Sequence, residues 1–87
     1  MARYELIYLP SITKDLRGLP KTDVRRILAR TEKLRDNAFP AGAIKLEGWE
    51  NRYRLRQGDY RILYSVDDVR VVVTVVKIGH RSDVYRQ

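Results

Sequence analysis

The 87-residue chain carries 18 Lys and Arg against 11 Asp and Glu, a net charge of +7, with 44% hydrophobic residues and no cysteine. That length supports one modest core in a single domain spanning residues 1–87. The missing cysteine excludes disulfides and thiolate zinc sites, and the apolar content excludes a disordered chain.

The positive excess is spread along the chain. Residues 1–44 hold 9 basic and 5 acidic residues, and residues 45–87 hold 9 and 6. A basic patch must therefore be assembled by the fold, and an anionic partner is expected, either nucleic acid or an acidic protein. With one histidine, neither a metal nor another cofactor is expected. No run approaches the ~20 apolar residues of a membrane span, so no membrane partner is expected and a cytoplasmic location is.

Arg3 to Leu9, rich in Tyr, Leu and Ile, reads as a strand ended by Pro10. Ser11 suits the N-cap of a short helix. Ile12, Leu16 and Leu19 recur there at i, i+4, i+7, until Gly18 and Pro20 break the pattern. In a second, longer helix Val24, Ile27, Leu28, Thr31 and Leu34 form one apolar stripe, with Lys21, Arg25, Arg26, Arg30, Glu32 and Lys33 around the rest. The two helices are expected to form an antiparallel hairpin. Asn37 to Gly42 reads as a loop, and Lys45 to Trp49 leads to three strands at roughly 52–56, 60–66 and 69–78.

The first two of these strands form the segment RYRLRQGDYRILY, Arg52 to Tyr64. Its period-2 alternation around a glycine predicts a β-hairpin. A two-residue loop at Gln57-Gly58 pairs Leu55 with Tyr60, Arg54 with Arg61, and Tyr53 with Ile62. Like charges directly opposite each other destabilise a sheet, so Arg54 facing Arg61 points to a use for concentrated positive charge. A second tight turn at Asp67-Asp68 sets Val66 against Val69, Tyr64 against Val71 and Arg61 against Thr74. The element order β-α-α-β-β-β predicts an α+β fold. The helical hairpin packs on one face of a mainly antiparallel four-stranded sheet, over Tyr53, Leu55, Ile62 and Tyr64. The opposite face stays open and carries Arg54, Arg56 and Arg61.

The segments Leu16-Arg17-x-Leu19-Pro20, Lys45-Leu46-x-Gly48, Tyr53-x-Leu55-Arg56, Gly58-Asp59-Tyr60-Arg61-Ile62-Leu63-Tyr64 and Gly79-His80-Arg81-x-Asp83-Val84-Tyr85, taken together, resemble the RelE toxins of the RelE/ParE toxin–antitoxin superfamily. The resemblance spans nearly the whole chain. It implies a microbial-ribonuclease-like fold and an endoribonuclease that cuts messenger RNA in the ribosomal decoding site, held in check by an antitoxin. It also implies that Arg61 and Arg81 hold the scissile phosphate and its transition-state charge, and that Tyr85 stacks on or orients a substrate nucleotide. Arg54 and Arg56 fall where the best-studied members carry lysines. Arginine stays charged, so neither can serve as the proton acceptor that a lysine could become.

Metal-independent RNA cleavage needs a base for the ribose 2′-OH, an acid for the leaving 5′-oxygen, and cations for the charge on the phosphate. Arg54, Arg61 and Arg81 suit the last task through their planar donor forks. Histidine is the side chain that ordinarily exchanges a proton near neutral pH, which makes His80 a candidate base; a hydrogen-bonded tail residue is the plainer alternative. Arg52, Arg56 and Lys45 are candidate substrate contacts. Equally, arginines at 52, 54 and 56 are what a solvated edge strand carries to block sheet-to-sheet aggregation. Tyr60 and Tyr64 read as core, and Trp49 as a lid over the core rather than a base-stacking platform.

The leading expectation is a RelE-type ribonuclease acting on the ribosome and messenger RNA. Its cognate antitoxin, acidic and RelB-like, would fold as it binds into a hetero-oligomer. The rivals are a non-enzymatic ParE-like toxin that binds DNA gyrase, and an inactive subunit of a repressor complex.

Overall fold

The computed structural model describes residues 3–80. In chain order it contains β1 (Glu5–Tyr8), α1 (Ser11–Leu16), α2 (Lys21–Glu32) running into a 3₁₀ turn (Lys33–Arg35), β2 (Ile44–Lys45), β3 (Arg52–Gln57), β4 (Tyr60–Asp67) and β5 (Val72–His80). One sheet holds all the strands in the order β1-β5-β4-β3-β2. Only the β1–β5 pair is parallel; the rest are antiparallel. The expected four-stranded sheet therefore gains a fifth strand. β2 is two residues long and pairs Ile44 with Arg54 and Lys45 with Tyr53, too short for any alternation to show.

The core lies between the helices and one sheet face. Ile12, Ile27, Leu34 and Ala38 pack with Leu6, Leu55, Ile62, Tyr64, Val66, Val73, Val75 and Ile78. From the α2 stripe, Ile27 and Thr31 are buried, while Leu28 lies at its exposed margin. Thr31 Oγ1 donates to the Leu28 carbonyl at 2.9 Å. Its one proton is thereby used, so the Tyr8 hydroxyl donates to Thr31 at 2.8 Å. Ser11 is not the cap of α1: it is the first helical residue, the cap position is Pro10, and no side chain caps there. The Ile12 amide bonds the Leu9 carbonyl at 2.9 Å, so the first turn already encloses Ser11, which lies inside the helix rather than at its cap.

Both turn registers differ from the sequence expectation. In the first hairpin Gln57 pairs with Tyr60, Arg56 with Arg61, Leu55 with Ile62 and Tyr53 with Tyr64. The loop is Gly58-Asp59, not Gln57-Gly58. Gly58 has φ +59° while Asp59 does not have positive φ. A two-residue turn with positive φ at its first central position alone is type II′, which calls for glycine there. The shift is an even number of residues, so every side chain keeps its face and only the partners change.

The second turn is longer than Asp67-Asp68. Asp67 Oδ1 accepts from the amides of Val69 and Arg70 at 3.1 and 3.0 Å, an Asx-type turn. β5 accordingly begins at Val72, and Val66 faces Val73.

A bulge then falls between Leu63 and Tyr64. Tyr64 faces Val75 but Leu63 faces Lys77, leaving Val76 extra. The sequence explains why. Val73 and Val75 are buried at odd positions, but the next odd residue is Lys77 and the next buried residue is Ile78. One extra residue moves β5 from odd to even phase and keeps the lysine out of the core. β1 pairs with β5 only as far as Val75. Past that point Asp15 of α1 takes over the edge, accepting from the Ile78 amide at 3.0 Å and from Lys77 Nζ at 3.4 Å.

Candidate nucleic-acid interface

The face of the sheet away from the helices carries arginines at alternate positions of β3. Arg52 faces Ser65, Arg54 faces Leu63, and Arg56 faces Arg61. The like-charge pair expected on this face is present, but Arg56 rather than Arg54 stands opposite Arg61. Arg56 Nε donates to the Gly58 carbonyl at 3.4 Å, and Arg61 Nη1 to the Tyr60 carbonyl at 3.3 Å. Arg3–Asp36 and Arg35–Glu32 pair away from this face, whereas Lys77, opposite Leu63, pairs with Asp15. Leu63 shares this face and stands outside the core cluster, yet it is only 8% exposed. Its cross-strand neighbours are Arg54 and Lys77, whose aliphatic stems can cover it.

On β5 the residue opposite Arg61 is Gly79, not Thr74. His80 faces Tyr60 instead, and their rings meet edge to face at 6.1 Å. Tyr60 belongs to the helix-covered side, where its hydroxyl donates to Asp23 of α2 at 3.1 Å. His80 is therefore on the side away from Arg61. The Val76 bulge is the cause, because unbroken alternation would have put residue 80 beside the arginines. Lys45 is likewise not among them: it pairs with Tyr53, and Ile44 is the residue beside Arg54. Arg81 and Tyr85 lie outside the described residues.

Two further features were not expected. A cleft of about 350 Å³ opens on the helix side of the hairpin turn, lined by Asp23, Arg26, Asp59, Tyr60 and His80 among others. Burial first, then the bond to Asp23 and the charges of Asp23 and Asp59, push the Tyr60 hydroxyl above its ordinary pKa. Trp49 is not a lid over the core. It is 52% exposed, and the Arg52 guanidinium carbon sits 4.0 Å from the centre of its ring, a cation–π contact. Its signal in the sequence is a tryptophan just after a glycine turn and three residues before an arginine.

A family model described as the ParE toxin of the type II toxin–antitoxin system parDE matches residues 6–85. The chain belongs to the RelE/ParE toxin superfamily. Within it the likeness is to RelE-type toxins. A putative RelE-like toxin protein of Escherichia coli is 31% identical over 87 residues, covering 95% of this chain and 90% of that one. The toxin fold also matches the archaeal RelE–RelB complex of Pyrococcus horikoshii OT3, with a TM-score of 0.81 and 34% identity over 95% of this chain and 99% of that one. The intact RelBE toxin–antitoxin complex of E. coli gives a TM-score of 0.73 and 29% identity, over 88% of this chain and 95% of the other. This RelE-type chain is thus a toxin of a toxin–antitoxin system, an α+β domain with two helices packed on a five-stranded sheet.

Proposed function

We propose that this RelE-type toxin is a ribosome-dependent endoribonuclease that cuts messenger RNA in the decoding site, using the 2′-OH of one nucleotide to attack the adjacent phosphate. The observation that carries the reading is the Arg56–Arg61 pair on the open sheet face, two like charges whose repulsion a bound phosphate would relieve. Arg61 and Arg56 hold the scissile phosphate and the charge that builds on it, and Arg54 and Arg52 extend the grip along the messenger. Arg81 completes the cradle and Tyr85 orients the nucleotide, roles drawn from the family resemblance alone. With His80 on the Tyr60 side, the reading assigns it no proton transfer. The strand neighbours of Arg61 are Arg56 and Gly79, and neither offers a side-chain proton acceptor. The reading takes Tyr85 as the candidate for proton transfer.

The partner that silences the toxin is an acidic, RelB-like antitoxin, suited to a chain of net charge +7 and supported by the RelE–RelB complexes of similar fold. The rival reading, a ParE-like toxin that binds DNA gyrase without cutting RNA, has the name of the matching family model in its favour. Purified ribosomes programmed with a defined messenger separate the two. Cuts within the decoding site that fall about 100-fold in rate with Arg61→Ala support the ribonuclease. An intact messenger together with inhibited supercoiling overturns it in favour of the gyrase reading.

A further inference from the structure

We infer that Trp49 and Arg52 form a nucleobase-stacking platform at one end of the arginine row, so that this site reads a base as well as gripping a phosphate. The inference rests on the proposed ribonuclease function. Trp49 is the chain's one tryptophan. It lies in the link between β2 and β3, which is closed by a bond from the Leu46 amide to the Arg52 carbonyl at 2.8 Å and tied to β4 by one from the Val66 amide to the Asn51 carbonyl at 3.0 Å. Gly48, with φ +83°, makes the reversal just before it. The ring is thus carried on a short, pinned loop. The Arg52 guanidinium lies over it at 4.0 Å, yet about half of the tryptophan is exposed.

The placement points to a ligand. Arg52 belongs to the same sheet face as Arg54, Arg56 and Arg61, so the Trp49–Arg52 stack continues the cationic row. Residues two apart on a strand are separated by ~6.6 Å, which puts the stack within one nucleotide's reach of Arg54. An indole and a guanidinium both offer flat faces on which any base can stack, and such stacking tolerates sequence changes. Arg52 also holds the ring in one orientation, so little freedom is lost when a base arrives. An isolated exposed tryptophan would need no explanation; one clamped by an arginine at the end of a phosphate-gripping row is placed for single-stranded RNA.

The test is single-turnover cleavage of messenger on programmed ribosomes by the full chain, Trp49→Ala and Trp49→Phe. Each is run on an intact messenger and on messengers made abasic at single positions beside the cut. We expect Trp49→Ala to weaken the apparent affinity for intact messenger about tenfold with Trp49→Phe restoring most of it. At one abasic position wild type and Trp49→Ala should become equal, because the base that stacks is gone. If wild type cuts and Trp49→Ala matches it on intact messenger, the platform is overturned while the ribonuclease reading stands. If Trp49→Ala cuts like wild type but escapes inhibition by the antitoxin, the ring belongs to the protein partner and the platform is likewise overturned. If wild type leaves ribosomal messenger intact, the ribonuclease reading falls and takes the platform with it.

Discussion

The two faces of the sheet obey different rules. The helix-covered face is uniformly apolar where it is central: Leu55, Ile62, Tyr64, Val73, Val75 and Ile78 are each buried among the others. The open face sets Arg56 against Arg61 and surrounds Leu63 with Arg54 and Lys77. One face lowers the free energy of folding by removing apolar area from water. The other tolerates repulsion that folding alone would remove. A sheet whose two sides differ this way separates stability from ligand binding by side-chain parity, and substitutions on either side should reveal that separation.

The largest effect is expected on the covered face. Ile62→Ala deletes a fully buried side chain in the middle of β4 and should destabilise the domain by about 2–5 kcal/mol, seen as a lower denaturant midpoint. Its neighbour Arg61→Ala should leave that midpoint nearly unchanged while slowing messenger cleavage about 100-fold, or about 2.7 kcal/mol of transition-state stabilisation. Adjacent residues of one strand giving the same phenotype would break the comparison.

Tyr64 gives a sharper, pH-resolved version. Its hydroxyl donates to the Ala38 carbonyl at 2.8 Å inside the core, and burial, with a smaller contribution from Tyr53, pushes its pKa up to about 12. An unfolded tyrosine ionises near ~10. Between these values the unfolded chain has lost the proton that the folded chain keeps, so stability falls as pH rises from about 10 to 12. The loss is on the order of 2 kcal/mol. Tyr64→Phe should cost about 1–2 kcal/mol at neutral pH by stranding the Ala38 carbonyl, and should flatten that alkaline decline in equilibrium unfolding curves. The smallest effect has the opposite sign. Arg56→Ala removes a like charge facing Arg61 and should raise stability by a few tenths of a kcal/mol at low salt, while weakening messenger binding.

Much of the fold was legible because alternation is robust to error. Alternation assigns Leu55, Ile62 and Tyr64 to the core and Arg54, Arg56 and Arg61 to the open face whether the turn is set at Gln57-Gly58 or one residue later. Moving the loop from Gln57-Gly58 to Gly58-Asp59 changes each pairing by two positions, and parity survives. The partner of Arg61 did not survive, because it depends on which turn residue carries positive φ. β5 was harder. Its chain Val72 to His80 alternates plausibly in either phase, and only packing Ile78 into the core while excluding Lys77 requires the extra residue at Val76.

The candidate site shows the same division. The sequence names the arginines; it does not show that His80 and Lys45 leave their face, nor that Arg52 stacks on Trp49.

By itself the sequence determined the element order, the apolar face and the basic face, since these follow from local periodicity and composition. The tertiary structure alone decided which arginine meets Arg61, that Gly79 rather than Thr74 stands beside it, that a bulge turns His80 towards Tyr60, and that Arg52 holds Trp49 at the sheet margin. Each of these rests on contacts between segments that are distant in the chain or separated by a turn. Their geometry is fixed by what the core can bury and by which backbone amides find partners, as when Asp15 of α1 takes the Ile78 amide.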